Sequence, residues 1–248
     1  MRRLAVLAMI SLAGMTAFAQ TKAMKPKSKA EETAVRAMLA AADPDARIKA
    51  ADDLITQFAD TEFKPYALYL EADAYLQKGD AEKSIVYGEQ ALDVDPHSYQ
   101  AAILLCKTYA STTHANDLDK AEKLGKIDKY GHIGLDSIAT ATKPNANLPD
   151  AEWLQIKNDL MGQAYYGLGV SAVFQNKIDD ANTDFQKVAE LDTDPTDMIR
   201  AGRALLDAKK PDQAIQWFDK AAAFPNATDQ IKKIAASDKA RAQSMIKK

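Results

Sequence analysis

Apolar and small side chains recur along most of the chain at the three- and four-residue spacing of one helical face. The segment Leu68–Tyr75 has this spacing, a polar turn follows at Lys78–Asp80, and a second periodic segment ends at Pro96. Such a unit predicts two amphipathic helices joined by a short turn. Only 10 Gly and 9 Pro occur among 248 residues, which disfavours a sheet protein with many tight turns. The pattern predicts an all-α chain.

The same pair of helices recurs further along the chain. A small residue on the first helix and another on the second are 12 residues apart in four copies. These pairs are Met38 and Ala50, Ala72 and Ser84, Gly169 and Ala181, and Gly202 and Ala214. Two helices approach to roughly 8–10 Å only where small side chains face each other at the crossing. The constant separation therefore indicates a repeated helical hairpin.

This arrangement resembles the tetratricopeptide repeat, which places apolar, small and aromatic residues on the first helix and an Ala, an aromatic residue and a Pro on the second. The resemblance implies an all-α, α-α superhelical solenoid of about five helical hairpins with a C-terminal capping helix. The expected repeats are 31–64, 65–98, 99–143 with a lengthened second helix, 150–194 with a lengthened first helix, and 195–227, followed by the capping helix at 228–248.

The third copy departs from the strict spacing. Its markers are Ala102, Leu105, Cys106, Tyr109, Ala121 and Gly125, and the two small residues Cys106 and Ala121 are 15 residues apart. This spacing indicates three inserted residues in the turn, around Thr112–Asn116.

A second interruption lies between Lys129 and Met161, where the step is longer than one repeat but a full extra hairpin does not fit. We expect two lengthened helices, one from Lys120 towards Ala139 and one from Ala151 to Gln175, joined by a loop at Lys143–Pro149. Gly131 and Gly134 weaken the first extension, because each glycine costs about 1 kcal/mol relative to alanine inside a helix.

The N-terminus has a different composition. Arg2 and Arg3 precede an apolar run from Leu4 to Phe18 that ends in Ala17-Phe18-Ala19, as in a secretory signal peptide. The run is shorter than the roughly 20 apolar residues of a membrane-spanning helix. We therefore expect a signal peptide at 1–19, cleavage near Ala19-Gln20, a flexible basic leader at 20–30, and a periplasmic or secreted protein without a transmembrane span. A retained N-terminal anchor is the alternative.

Charge and cysteine content narrow the expected partners. The chain has 32 basic and 35 acidic residues, and loss of Arg2 and Arg3 with the signal peptide would leave 30 basic and 35 acidic residues, a net charge of −5. Mild acidity argues against nucleic acid as a partner. Cys106 is the only cysteine, so no internal disulfide can form.

The sequence has no pattern of a catalytic, cofactor or metal site. His97, His114 and His132 have no ligand partner at helical spacing, and Cys106 has no evident histidine base. Phosphate-binding loops and the Gly-x-Ser-x-Gly turn are missing. The stretch Asp192–Asp197 lacks the glycine and terminal glutamate of a calcium loop, and the Asn226–Thr228 triplet is interpreted as a helix start rather than a glycosylation site. We expect no enzyme activity.

In the family that the chain resembles, the first helices line a concave groove that takes an extended peptide or a partner's helix. The candidate groove residues lie beside the packing stripe and are Tyr66, Tyr69, Asp73, Ile103, Lys107, Tyr166, Val170, Ile199 and Arg203. The alternative is that half of them make contacts within the stack. The Lys and Asn clamp of chaperone-binding members is not expected, since Val35 and Leu39 occupy its first positions.

Two functions fit these observations. The first is an exported scaffold or adaptor that binds proteins or peptides in the bacterial cell envelope. The second is a groove-type binder of a small ligand or cell-wall fragment, which would use Tyr66, Tyr69 and Tyr166. The sequence leaves the partner and the oligomeric state open.

Overall fold

The computed structural model describes residues 24–144, 147–191, 195–225 and 227–246. Within these ranges the chain forms eleven α-helices and no strand. The helices are α1 (Lys29–Ala40), α2 (Pro44–Gln57), α3 (Lys64–Gln77), α4 (Ala81–Val94), α5 (Tyr99–Thr112), α6 (Lys120–Thr140), α7 (Asp150–Phe174), α8 (Ile178–Leu191), α9 (Pro195–Asp207), α10 (Pro211–Ala223) and α11 (Asp229–Ile246). The predicted all-α class is confirmed.

Short polar residues start several of the helices. The side chains of Ser28, Asp43, Asp80 and Ser98 each accept a hydrogen bond from a backbone N–H in the first turn of the helix that follows. Such caps satisfy donors that the helix itself leaves unpaired. Proline occupies the first turn of α2, α3 and α10, where its missing N–H costs nothing.

One turn geometry closes three of the hairpins. Gly79, Asn176 and Lys209 have φ values of 79°, 59° and 60°, and each follows the small residue of its first helix by the same interval. In each turn the next residue donates its N–H back to a carbonyl five positions earlier, as Asp80 does to Tyr75 over 2.9 Å. This left-handed closure is a common helix C-terminus, and glycine adopts it without strain.

Consecutive helices pack against each other from α1 to α11. The first helices of the hairpins also contact one another in succession, α3 with α5, α5 with α7, and α7 with α9, while α11 packs on α9 and α10. This is the layered arrangement of a helical solenoid, in which each hairpin buries its apolar face against its neighbours. The predicted solenoid is therefore the observed architecture, and its first helices share one face.

Aromatic rings fill the space that the small residues leave. A Cβ atom at Gly169 would overlap the ring of Phe185, and one at Gly202 would overlap the ring of Phe218. Both rings are fully buried. Glycine at these positions allows each first helix to lie directly on an aromatic ring of its partner helix.

The buried apolar residues form three clusters. The largest extends from α5 to α11 and contains both phenylalanine rings. The N-terminal cluster of α1, α2 and the start of α3 contains Met38 and Leu54, and a small third cluster joins α3 to α4 and α5. The first hairpin therefore shares its apolar core with the start of α3.

The two long helices of the sequence analysis are α6, with 21 residues, and α7, with 25 residues. Gly131 and Gly134 do not interrupt α6. Both are buried, and a Cβ atom there would overlap Leu168 and Ile103, respectively. Their cost in helix propensity is offset by the close approach of α6 to its neighbours, which a count of propensities alone misses.

The register assigned to the third copy was wrong. Ala121 and Gly125 are exposed, whereas Leu124 and Ile127 are buried. The loop before Lys120 shifts the inward face of α6, so the small-residue marker does not carry over to this helix. Its close contacts come from Gly131 and Gly134 instead.

The solenoid begins earlier than expected. Ser28 caps α1, which starts at Lys29, and the buried carboxylate of Glu31 accepts hydrogen bonds from the Lys27 N–H at 2.6 Å and the Thr61 hydroxyl at 2.6 Å. Lys27 also pairs with Asp60 at 2.7 Å. The expected signal peptide at 1–19, Asn226, and the aspartates 192 and 194 lie outside the described residues.

We predict opposite effects on the free energy of unfolding for two Gly→Ala substitutions, one in α6 and one in α7. At Gly167 the new methyl group would overlap the sulfur of Cys106, so Gly167→Ala should lower the free energy of unfolding by about 1–3 kcal/mol. At exposed Gly125 nothing lies within 4 Å of an added Cβ, so Gly125→Ala should raise it by about 1 kcal/mol. Urea unfolding measures both, and equal effects would contradict the packing role of Gly167.

Candidate groove on the first helices

The N-terminal part of the groove consists of aromatic side chains of α3. Tyr66 and Tyr69 are half-buried, and their ring centroids are 5.7 Å apart. Burial raises the pKa of Tyr69 above its ordinary range, with a further rise from the Asp73 carboxylate. The phenols are therefore neutral at physiological pH, and they offer ring surface and hydrogen-bonding hydroxyls to a ligand.

An ion pair between Arg47 and Asp73 lies beside these tyrosines. Arg47 of α2 lies 3.5 Å from the Asp73 carboxylate and also donates to the Ala41 carbonyl at 3.2 Å. Gln77 donates to the same carboxylate at 2.6 Å. Asp73 is thus already paired, and its role in the groove is to hold Arg47 beside the rings.

Of the two candidate residues in the middle of the groove, Ile103 is buried and Lys107 is accessible. Ile103 is only 1% exposed and lies against Gly134, so it belongs to the packing between α5 and α6. Lys107 is half-buried, and its ammonium donates to the Gln163 side chain at 3.3 Å, across α5 and α7. No described carboxylate lies within 4 Å of this ammonium. Lys107 is a groove cation without a counter-charge among the described residues.

On α7, Tyr166 is half-buried and Val170 is 3% exposed. Burial raises the pKa of Tyr166 to about 12, with Arg200 opposing and Asp197 adding to the rise. Its ring lies 6.3 Å from that of Phe185, at the margin of the largest cluster. Only Tyr166 therefore presents part of its surface to the groove.

The last pair of candidates, on α9, is occupied by the chain itself. Ile199 is 3% exposed. Arg203 is exposed, but its guanidinium pairs with Asp238 of α11 at 2.7 Å. The capping helix thereby covers the C-terminal end of the first-helix face.

The structure therefore brings Tyr66, Tyr69, Asp73, Lys107 and Tyr166 to an accessible face and places Ile103, Val170 and Ile199 inside the stack. Sequence reasoning missed Arg47 and Gln163. Arg47 is on a second helix, outside the pattern of groove positions, and only its contact with Asp73 reveals it. Gln163 lies one helical turn before Tyr166, on the same helical face as Tyr166 and Val170. Helical spacing could therefore have identified it from the sequence.

A cleft of about 850 Å³, called here the turn-edge cleft, lies between the α3–α4 turn and the start of α6. Lys78, Lys123 and Asp119 are among its lining residues, and Lys123 pairs with Asp117 at 2.8 Å and Asp119 at 3.1 Å. Lys78 pairs with Asp45. These cations are neutralised within the chain, so the cleft has no free charge to attract an anion.

A smaller cleft of about 340 Å³ lies between α6, α7 and α8. Both oxygens of Asp128 accept hydrogen bonds, from Ser171 at 2.7 Å and Gln175 at 2.9 Å. Burial raises the pKa of Asp184 to about 6, the Asp180 and Asp128 charges add to this, and His132 opposes it. Asp128 therefore links α6 to α7 by hydrogen bonds, and both of its carboxylate oxygens already have a partner.

The remaining candidate chemistry is dispersed. His97 and His114 are exposed near turns, and the His132 ring contacts the Asp128 carbonyl of its own helix at 2.7 Å. Cys106 is fully buried, which raises the pKa of its thiol far above the ordinary value. The described part of the chain contains no group of three or more His, Cys, Asp or Glu residues placed to hold a metal ion. None of its helices is long and apolar enough to cross a membrane.

Comparisons with known proteins agree with the architecture. Models of the tetratricopeptide repeat match residues 65–98 and 152–228. Among solved structures, the chain is similar to a thermophilic tetratricopeptide repeat protein of Thermus thermophilus, with 16% identity and a TM-score of 0.50 over 84% of this chain and 98% of that one. At this identity the likeness shows the fold alone. The curated proteins include no significant match.

Next to the turn-edge cleft, one carboxylate oxygen of Glu89 on α4 ties together two further helices. It accepts hydrogen bonds from Tyr109 at 3.0 Å, Lys126 at 2.5 Å and Tyr130 at 2.8 Å. Burial alone would raise the pKa of Glu89, but the three donors and the Lys126 charge outweigh it, so the pKa lies below its ordinary value. The negative form of Glu89 is therefore the one that the fold stabilises.

We predict that Glu89→Ala lowers the free energy of unfolding by about 1–3 kcal/mol at neutral pH, because three donors lose a charged acceptor. A group with a lowered pKa in the folded state contributes its stability above the pKa of the unfolded chain and loses it as the pH falls. The difference in the free energy of unfolding between the protein and the variant, measured in urea, should therefore shrink as the pH falls below the ordinary pKa range of a glutamate. A constant difference over the acidic range would contradict this role.

Proposed function

The chain belongs to the tetratricopeptide repeat family, and from this premise we propose that it is an exported scaffold or adaptor that binds proteins or peptides of the bacterial cell envelope in the groove of α3, α5 and α7. Repeats of this family suggest a protein–protein interaction scaffold in general. The observation that carries the proposal is the accessible set of Tyr66, Tyr69, Lys107 and Tyr166 on first helices that pack side by side.

The aromatic part of the groove supports recognition of an apolar or extended segment. Tyr66 and Tyr69 on α3 are half-buried, with ring centroids 5.7 Å apart. Tyrosine contributes large contact areas at protein interfaces with little loss of side-chain entropy, and its hydroxyl can hydrogen-bond to a peptide backbone. This end of the groove offers apolar contact with hydrogen bonds at its margin.

Lys107 supports a charged contact at the centre of the groove. Lys107 is half-buried as a residue, and its ammonium hydrogen-bonds to the neutral amide of Gln163, so it retains capacity to donate to a carboxylate. A cation at a protein surface attracts an opposite charge more strongly than one in bulk water. We therefore infer that the bound segment carries an Asp, a Glu or a terminal carboxylate near its apolar side chains.

Export is supported by the N-terminal sequence. The charged start, the apolar run from Leu4 to Phe18 and the small residues Ala17 and Ala19 match a cleavable signal peptide. Delivery to the envelope would place the groove where periplasmic or secreted partners are available.

The first experiment is in-cell crosslinking followed by mass spectrometry of captured envelope proteins. We predict that Tyr69→Ser and Lys107→Met each reduce recovery of the same partners about tenfold or more, because loss of an interface anchor costs roughly 2 kcal/mol. Val86→Ser is the matched control, since Val86 is 51% exposed on α4, a second helix. The proposal is wrong if neither groove variant changes the captured set, or if Val86→Ser changes it equally.

The second experiment tests the export route. We predict that protein recovered from the periplasmic fraction begins at Gln20, as read by N-terminal sequencing, and that Ala19→Asp prevents this processing. Recovery of the unprocessed chain only from the cytoplasm would contradict export. The same outcome would also exclude envelope partners, so the crosslinking is interpreted on protein shown to be processed.

The paired tyrosines also favour a second candidate, a binder of a small ligand or cell-wall fragment. Aromatic rings beside hydrogen-bonding groups such as Arg47 and Gln77 are suited to sugar and peptide fragments. Thermal-shift assays with peptidoglycan fragments distinguish the two. A rise in melting temperature that Tyr69→Ser abolishes favours the fragment binder, and no rise together with lost crosslinks favours the scaffold.

A further inference from the structure

The second hairpin contains a charged residue at a position that other hairpins fill with apolar side chains. The residue directly before the small residue of the first helix is Leu105 in the third hairpin, Leu168 in the fourth and Ala201 in the fifth, and all three are buried. In the second hairpin this residue is Glu71. Its side chain is completely buried on α3.

The ionised form of Glu71 has no compensating partner, because the side chain that hydrogen-bonds to its protonated form is another carboxylate, that of Asp52. Neither carboxyl oxygen accepts a hydrogen bond from a donor group among the described residues. A buried ionised carboxylate is strongly unfavourable without a cation or donors, whereas the protonated form tolerates burial far better. The position therefore favours the neutral acid in the closed structure.

The groups around Glu71 reinforce this preference. From α2, the exposed Asp52 adds a like charge, and from α4, Tyr87 faces the carboxyl. Tyr75 of α3 stacks on Tyr87 with ring centroids 5.1 Å apart, and the Lys83 ammonium of α4 lies 5.0 Å from the Tyr75 ring. Lys83 pairs with Asp80 at 3.6 Å rather than with Glu71.

Burial raises the pKa of Glu71 to about 8, and the nearby charge of Asp52 adds to the rise. The same environment raises the pKa of Tyr87 to about 12, so this phenol stays neutral over the range in which Glu71 titrates. Glu71 is therefore the group in this cluster whose charge changes near neutral pH.

The location of Glu71 gives this charge a mechanical consequence. The N-terminal cluster around Met38 and Leu54 reaches α3 through Ala67, and the α2 residue Ile55 packs against both this cluster and the one that joins α3 to α4 and α5. Glu71 lies on α3 between Asp52 of α2 and Tyr87 of α4, at the boundary of these clusters. On the groove face the Arg47–Asp73 ion pair links the same two helices, α2 and α3.

We propose that Glu71 makes the contact between the N-terminal hairpin and the rest of the solenoid a proton-controlled joint. With the proton bound, α2 and α4 close over α3. When the proton is lost, the negative carboxyl faces Asp52 without a partner, and the contact between α2 and α3 loosens.

The direction of the pH effect follows from proton linkage. An open state exposes Glu71 to water, where its pKa is close to the ordinary value, whereas the closed state binds the proton more tightly. Closure is therefore most favourable in acid, weakens as the pH rises towards the pKa of the closed state, and changes no further above it.

Hydrogen exchange of the purified protein, read by mass spectrometry on peptides of Lys29–Gln57, tests the joint. Expressing the data as protection factors removes the intrinsic pH dependence of exchange. From about pH 6 to about pH 9, protection in α1 and α2 should fall about tenfold or more, while α9 and α10 keep theirs. An equal fall in both regions would overturn the joint, because it would report global unfolding.

Two substitutions at Glu71 remove the titration. Glu71→Gln keeps the shape without an ionisable group, and Glu71→Leu places there the side chain found at Leu105 and Leu168. Both variants should keep α1 and α2 protected at high pH, and the leucine variant remains informative if the buried amide of glutamine prevents folding. A fall in protection of wild-type size in Glu71→Leu would overturn the proposal.

Asp52→Asn separates a proton switch from a merely structural residue. Asp52 is exposed, so the substitution leaves the core unchanged, and it removes the like charge that raises the pKa of Glu71. The pH above which protection in α1 and α2 stops falling should therefore shift downwards. If protection levels off at the same pH as in the wild-type protein, Glu71 and Asp52 do not form the titrating pair and the proposal is overturned.

Discussion

The close approach of paired helices is the constraint on which the rest of the structure depends. At Gly169 and Gly202 the backbone of a first helix rests directly on a phenylalanine ring, and no side chain could be inserted there. Because the contact distance is fixed at these points, the outward-facing positions one turn away are fixed as well. The groove is therefore a consequence of packing: Tyr66, Tyr69 and Tyr166 face one side since the residues beside them must face the other.

The long helices apply the same rule in a different register. Gly131, Gly134 and Gly167 let α5, α6 and α7 pack together around Ile103, Cys106 and Leu168, without the aromatic ring that lies against Gly169 and Gly202. Three helices approach closely here instead of two, and α5 contacts α7 directly. This junction also sets the geometry of Lys107 and Gln163, which bridge α5 and α7 across the groove. The irregular part of the solenoid thus supports the centre of the candidate site.

Sequence reasoning reached the fold because the small residues and the apolar stripe are local signals with a fixed period. It placed Gly131 and Gly134 as defects, since helix propensity is a property of one helix, whereas their buried role depends on Leu168 and Ile103 from other helices. The same limit applies to the groove. Spacing identified the face, but it could not show that Ile199 is buried or that Arg203 is held by Asp238 of α11, because both facts depend on residues far apart in sequence.

Two buried or half-buried glutamates show how context decides the meaning of one residue type. Glu89 meets three donors and is stabilised as an anion, so it fastens α4 to α5 and α6. Glu71, 18 residues earlier on the neighbouring helix, meets an aspartate and no donor. Rising pH therefore strengthens the contacts on one side of the second hairpin and weakens those on the other. A change in pH therefore alters the stability of the contact with α2 relative to that of the contact with α5 and α6. A hairpin with only apolar side chains at these contacts could not respond in this way.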